Sequence, residues 1–311
     1  MVAYADGEDD VHNTTCTDDV ADGWDRTAYL SAGTATYLGQ AADGTYLFLT
    51  ANHVTSSGGS ISSSDGNTYT FSYAGTSWTL TNSDGSEADL KIIAVTPDDD
   101  ATAAYLQGLG SISIYTGTLT TTTALYTVGT GKSISVGGSY DSGSRAKQWA
   151  EFYANAALSD VSTTGGTTDC YYEIFTNQET MTTRNGSTTT TTSVPSFQAG
   201  SQDSGSGVFI EVEGETQIVG VLIAVGCVYA STSTVNYYNT ETLSEYETDG
   251  LCCITYFANL SQYADQIAVI MAIPEPSAFS LFAGTAALAF ACVAARRRRR
   301  MRRERRRSEI S

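Results

Sequence analysis

The chain has 311 residues and a formal net charge of −18, but ten of its sixteen basic residues lie at Arg296 or beyond, where Glu304 and Glu309 are the only acids. Residues 1–295 therefore hold six bases against thirty-two acids, about −26, a surface that repels nucleic acid and anionic lipid and excludes a nucleic-acid role for the main body. With 29 glycines, 19 tyrosines and four prolines, the composition favours short strands joined by Gly/Ser/Asp turns, so the expected class is all-β.

Residues 1–26 are expected to be an N-terminal segment outside the main domain. Met1 to Asp10 has neither a basic nor an apolar signal region, yet Ala3-Tyr4-Ala5 before Asp6 has the small-x-small form of a signal-peptidase site. The expectation is that the true start lies upstream and that this segment retains part of a cleavage region. His12, in the same acidic stretch, reads as a solvated residue.

Strands are expected at Thr34–Gly39, Thr45–Ala51, Thr68–Ser72, Leu90–Val95, Ser111–Tyr115, Ala124–Val128, Ser133–Val136, Gln148–Tyr153, Tyr171–Phe175, Gly207–Val212 and Gln217–Val225, with turn clusters such as Ser56–Gly59 and Ser64–Asn67 between them. Asp98–Asp100 offers carboxylates for calcium, but a solvated acidic turn is the expected role. Ser187–Ser193, STTTTTS, reads as an exposed loop or glycan-bearing stretch. Phe257, Leu260, Tyr263, Ala264, Ile267 and Ile270 follow 3–4 spacing and predict a closing helix. Of six cysteines, Cys292 falls in an apolar tail, and no C-x-x-C pair suggests zinc. A bridge from Cys227 to Cys252 or Cys253 is expected in an oxidising compartment. No cofactor or metal is expected.

From Ala278 to Ala295 eighteen residues run without a charge, roughly 27 Å of helix at 1.5 Å per residue, enough to cross a hydrocarbon core. The arginines from Arg296 to Arg307 follow at once and are expected to stay cytoplasmic, which puts the rest of the chain outside. Pro274-Glu275-Pro276 stands just before. A Pro-Glu-Pro triplet, an apolar helix and a terminal arginine cluster in that order resemble the PEP-CTERM sorting signal, across residues 272–311. The resemblance implies an exosortase-type enzyme that recognises Pro274, Glu275 and Pro276. It also implies a body held briefly in the inner membrane, then delivered to the envelope, surface or extracellular matrix.

The chemistry-bearing residues are fewer. His53 follows the apolar strand Tyr46-Leu47-Phe48-Leu49 in Leu49-Thr50-Ala51-Asn52-His53-Val54, at a strand end where loops begin and where an imidazole can act as general base. Asp89 heads the strand Leu90-Lys91-Ile92-Ile93, where a buried acid can fix a histidine tautomer. Gln202-Asp203-Ser204-Gly205-Ser206-Gly207 precedes Val208-Phe209-Ile210. Its small residues leave a hydroxyl open and let backbone N–H groups point at an oxyanion. Each pattern alone is common; the order His, Asp, Ser with fitting flanks is the specific signal.

That order resembles the chymotrypsin-like (trypsin-like) serine proteases, across residues 27–271. Leu-Thr-Ala-Asn-His-Val looks like the family's Thr-Ala-x-His box, Asp89-Leu90 like its Asp-Leu strand, and Asp203-Ser204-Gly205 like its nucleophile loop. Val219-Gly220-Val221, leading to Gly226, is similar to the wall of its specificity pocket. The resemblance implies two six-stranded Greek-key barrels with a C-terminal helix and a site between them. Ser204 would be nucleophile, His53 base and then acid, and Asp89 the orienter, with the N–H groups of Gln202 and Ser204 as oxyanion donors and a protein or peptide as substrate. The pocket floor would fall near Gln198 or Ala199, neither acidic, so cleavage after Lys or Arg is not expected. The chain departs from the family in three ways: Gln202 stands at the family's loop glycine, no cysteine pair flanks His53, and no Ile-Val-Gly-Gly-like terminus is visible to pair with Asp203. The alternative reading is a catalytically silent protease-fold binding or matrix protein at the cell surface.

Overall fold

The computed structural model describes residues 2–4, 13–132, 144–154, 156–175, 181–185, 188–192, 196–228, 235–238 and 252–272. His12, the expected strand Ser133–Val136, the triplet Pro274, Glu275 and Pro276 and the apolar run 278–295 lie outside them. Among the described residues, no helix is long and apolar enough to cross a membrane.

The first half opens with β1 (Val2–Tyr4) and helix α1 (Ala21–Arg26). Six strands follow: β2 (Thr27–Leu30), β3 (Gly33–Gln40), β4 (Tyr46–Thr50), β5 (Gly58–Ser62), β6 (Thr68–Thr81) and β7 (Glu87–Pro97). They close a barrel in the order β2-β3-β4-β7-β6-β5. β4 is buried along its whole length and β3 up to Gln40, so alternation disappears from their sequence. Inside, Phe48 stacks on Phe71 at 4.6 Å and tilts against Tyr37 at 5.1 Å between ring centroids. The β6–β7 hairpin is longer than expected on both sides, because residues 74–77 face solvent and carry no apolar period.

Helix α2 (Asp100–Leu109) was not expected; the acidic run Asp98–Asp100 begins it. Asp99 is its N-cap and accepts the Thr102 N–H at 2.7 Å. At the other end the buried Arg26 donates to the carbonyls of Leu109 at 2.6 Å and Gly110 at 3.0 Å, where a cation suits the negative end of the helix. Only Thr102 and Leu106 are buried along α2, too few for a legible period.

The second half contributes β8 (Ser113–Ile114), β9 (Ala124–Gly129), β10 (Gln148–Tyr153), β11 (Ala156–Thr163), β12 (Gly166–Phe175), β13 (Met181–Asn185), β14 (Thr188–Thr192), β15 (Ser196–Gln198), β16 (Gly207–Val212), β17 (Glu215–Val228), β18 (Val235–Tyr238) and β19 (Cys252–Asn259). Nine of these form one sheet, β10-β9-β16-β17-β19-β12-β11, with β8 and β18 also paired to β17. A second closed six-stranded barrel was expected. Among the described residues the second half is seen as this nine-stranded sheet, in which the β11–β12 hairpin lies along β19 from Cys170↔Ala258 to Phe175↔Cys253, and its two end strands, β10 and β11, are separated in the chain only by residues 154–155. β15 pairs with β1.

Thr188–Thr192, within the expected loop Ser187–Ser193, is strand β14 paired with β13; β-branched threonines suit a ladder better than a loop. The closing helix is shorter than its spacing suggested. Helix α3 (Ala264–Met271) begins only after Phe257, in β19, and Leu260, in a 3-10 turn. Leu260, Tyr263, Ile267 and Ile270 share one buried cluster while Phe257 packs in another, so the 3–4 pattern ran across three different elements rather than along one helix. The ladder sets Cys227 opposite Cys253 and Val228 opposite Cys252. Phe152, packed on Phe197 at 4.6 Å and Phe257 at 5.7 Å, centres this second core.

Candidate active site

β4 runs straight into a tight turn. The Val54 N–H donates to the Ala51 carbonyl at 3.1 Å, and both residues are buried, which pins the turn and leaves the His53 side chain 15% exposed. β7 runs antiparallel to β4 with Thr50 opposite Lys91, so Asp89 falls beside the His53 turn. The Asp89 carboxylate is fully buried. Its Oδ1 accepts the His53 backbone N–H at 3.0 Å and its Oδ2 meets the ring Nδ1 at 2.8 Å. The Thr163 hydroxyl donates to Oδ2 at 2.5 Å, and the Asp89 N–H donates to Thr168 Oγ1 at 2.8 Å. A buried carboxylate is tolerated only when its oxygens are satisfied in this way.

Lys91, two residues along the same strand, completes the cradle. Its Nζ donates to Asn52 O at 2.9 Å and Val54 O at 2.6 Å, the carbonyls on either side of His53. Burial lowers its pKa, while the Asp89 charge works in the opposite direction. The turn between β11 and β12 closes over the pair. A side chain at Gly165 would overlap Asp89 Oδ1, and the Gly165 carbonyl accepts from Asn52 Nδ2 at 2.8 Å. Sequence reasoning did not find Lys91, Thr163 or Thr168. A cation two residues after an acid in an apolar strand was a usable signal for Lys91; the threonines, more than seventy residues from Asp89, gave none.

The segment carrying Ser204 is a turn built around Asp203. This fully buried carboxylate accepts the N–H of Gly131 at Oδ1 and of Gly200 at Oδ2, each at 2.8 Å, and the Asp203 carbonyl accepts the Ser206 N–H at 2.9 Å. Ser204, 3% exposed, is anchored to the barrel: its carbonyl accepts the Thr34 N–H at 2.9 Å. A Cβ at Gly33 would come within 2.9 Å of both that carbonyl oxygen and the Val54 methyls. Gly205, at φ 95°, packs so closely on Thr34 and Thr50 that a side chain would overlap the Thr34 carbonyl. The Ser204 backbone therefore sits on the strand ends that carry the His53 turn.

Gln202 lies in the left-handed region at φ 71°. Such a conformation costs a residue with a Cβ roughly 1–2 kcal/mol. Its carbonyl accepts from Thr34 Oγ1 at 3.0 Å, and its side-chain Oε1 is buried without a hydrogen-bond partner. Ahead of it, buried Ala199 donates its N–H to Thr255 Oγ1 at 3.2 Å, tying the loop to β19, while Gln198 ends β15. Val219-Gly220-Val221 lies on β17 between β16 and β19. Among the described residues, no group of three His, Cys, Asp or Glu side chains could hold a metal ion.

No family model matches the sequence, and no curated protein matches it. Among solved structures the chain is similar to the inactive form of Rv3671c from M. tuberculosis, a serine-to-alanine mutant, with a TM-score of 0.42 and 13% identity over 84% of this chain and 97% of that one. It is also similar to the murine norovirus NS6 protease, an inactive mutant, with a TM-score of 0.37 and 9% identity over 76% of this chain and 90% of the other.

Proposed function

We propose that this chain is an exported serine endopeptidase that hydrolyses peptide bonds through an acyl-enzyme. The observation that carries the reading is the buried Asp89 carboxylate bound to both the backbone and the ring Nδ1 of His53, beside the turn that bears Ser204. With Nδ1 held, Nε2 is the nitrogen left to take the Ser204 proton as the hydroxyl attacks a carbonyl carbon. The same nitrogen then protonates the leaving amine, and water hydrolyses the ester by the reverse path. The N–H groups of Gln202 and Ser204 would stabilise the oxyanion. The Pro274-Glu275-Pro276 tail supports delivery across the inner membrane to the envelope, with an exosortase-type enzyme as processing partner.

The left-handed backbone and buried, unpaired Oε1 of Gln202 favour one other reading, a catalytically silent protease-fold binder. A fluorophosphonate probe separates the two. Labelling of the intact protein that disappears in Ser204→Ala supports the enzyme; intact, folded protein left unlabelled supports the binder.

A further inference from the structure

Arg145 belongs to none of the motifs above, yet its guanidinium is spent on backbone. Nε donates to Thr130 O at 2.8 Å, Nη1 to Leu30 O at 2.6 Å, and Nη2 to Gly33 O at 2.6 Å and Thr130 Oγ1 at 2.8 Å. Its Cζ lies 5.3 Å from the centre of the Tyr29 ring. One side chain thus ties the β2–β3 turn of the barrel to the segment Thr130–Lys132, which also bridges back to Arg145 itself.

That segment holds the nucleophile loop at three consecutive residues. The Lys132 N–H donates to Ser201 O at 2.9 Å and the Gly131 N–H to Asp203 Oδ1 at 2.8 Å. Between them Thr130 Oγ1 meets Thr34 Oγ1 at 2.7 Å, which donates to Gln202 O. In a trans peptide the N–H points opposite the carbonyl. Fixing Ser201 O therefore fixes the direction of the Gln202 N–H, and the Ser206 N–H on Asp203 O does the same for the N–H of Ser204.

We propose that Arg145 is the positioning residue of the oxyanion site: by clamping Thr130–Lys132 against the Leu30–Gly33 turn, it aims the Gln202 and Ser204 N–H groups. This deepens the peptidase reading and rests on it. The Asp203 carboxylate is already held inside the folded chain by the N–H groups of Gly131 and Gly200, so no newly freed amino terminus is needed to order the loop. A lysine cannot replace the fork, because one ammonium does not reach three residues in a plane.

The test is the second-order rate of fluorophosphonate labelling of the full chain, with folding monitored by circular dichroism. Arg145→Lys and Arg145→Met should each slow labelling about 10- to 100-fold, less than the loss on deleting an oxyanion donor outright. The pH midpoint of labelling should stay put, because His53 and Asp89 are untouched, and added guanidinium ion should partly restore the Met variant. Labelling at the wild-type rate, or a loss that merely tracks unfolding, overturns the assignment to Arg145. An unlabelled wild-type protein removes the peptidase reading and this one with it. If both variants fail to fold, Thr34→Val probes the same link: slowing of about 10-fold supports it, and an unchanged rate overturns it.

Discussion

Asp89 binds His53 twice, once through the backbone N–H at 3.0 Å and once through the ring Nδ1 at 2.8 Å. One carboxylate therefore sets both where the histidine sits and which way its ring faces. Asp89→Asn should keep the fold but allow the wrong tautomer, lowering turnover by about 10⁴. Peptide hydrolysis against the wild type measures this, with His53→Ala and Ser204→Ala as zero points that stay folded. Near-normal turnover in the Asn variant would remove Asp89 from the mechanism.

Thr163→Val deletes the hydroxyl that donates to Asp89 Oδ2 while keeping the side chain's shape. A charged buried acceptor left one donor short costs about 1–3 kcal/mol. Urea unfolding should record that loss, and turnover should fall with KM little changed. A variant as stable as the parent would mean that Thr163 is a bystander.

Gln202→Gly should act in the opposite sense. Glycine takes positive φ without the Cβ penalty, so about 1 kcal/mol of strain is relieved, and a buried Oε1 that lacks a partner is removed. The expected result is a raised midpoint of thermal unfolding together with faster labelling of Ser204. Unaltered stability would argue that the surrounding loop already absorbs the strain.

Lys147 gives a pH dependence away from the site. It is buried against the Trp24 ring at 5.1 Å, its Nζ donates to Ser62 O at 2.7 Å, and desolvation pulls its pKa from 10.5 to about 7. Between pH 7 and 10 the unfolded lysine carries a proton that the folded one has lost. Stability should rise with pH across this window, at no more than about 1.4 kcal/mol per unit, and flatten below it. The raised pKa values of buried Tyr37 and Tyr126 act in the opposite direction only above pH 10. Lys147→Met should abolish the slope in urea titrations at pH 7, 8 and 9; a slope that survives would assign it to another group.

Two strands, Gln148–Tyr153 and Gly207–Val212, match their sequence boundaries residue for residue, because each is a short apolar-rich run bounded by polar or glycine-rich sequence. The neighbours of His53, Asp89 and Ser204 were legible for the same reason, each flanking an apolar strand. Helix α2 escaped because it buries only two side chains, and β14 because a run of threonine looks like linker composition. The supporting residues escaped for a different reason. Thr163 lies 74 residues from Asp89 and Arg145 lies 112 from Gly33, so their roles exist only once the two halves have met.

The Thr163 hydroxyl gives that dependence a consequence for biosynthesis. A chain emerging N-terminus first completes the barrel, with His53 and Asp89, before β11, β12 or Ser204 have been made. Until the hairpin closes over Asp89 and the later loop reaches Thr34, the half-made protein has an imidazole but neither a capped carboxylate nor a nucleophile. On the proposed reading it could not cut its own nascent chain or the machinery exporting it, and maturation would need no separate inhibitor during synthesis.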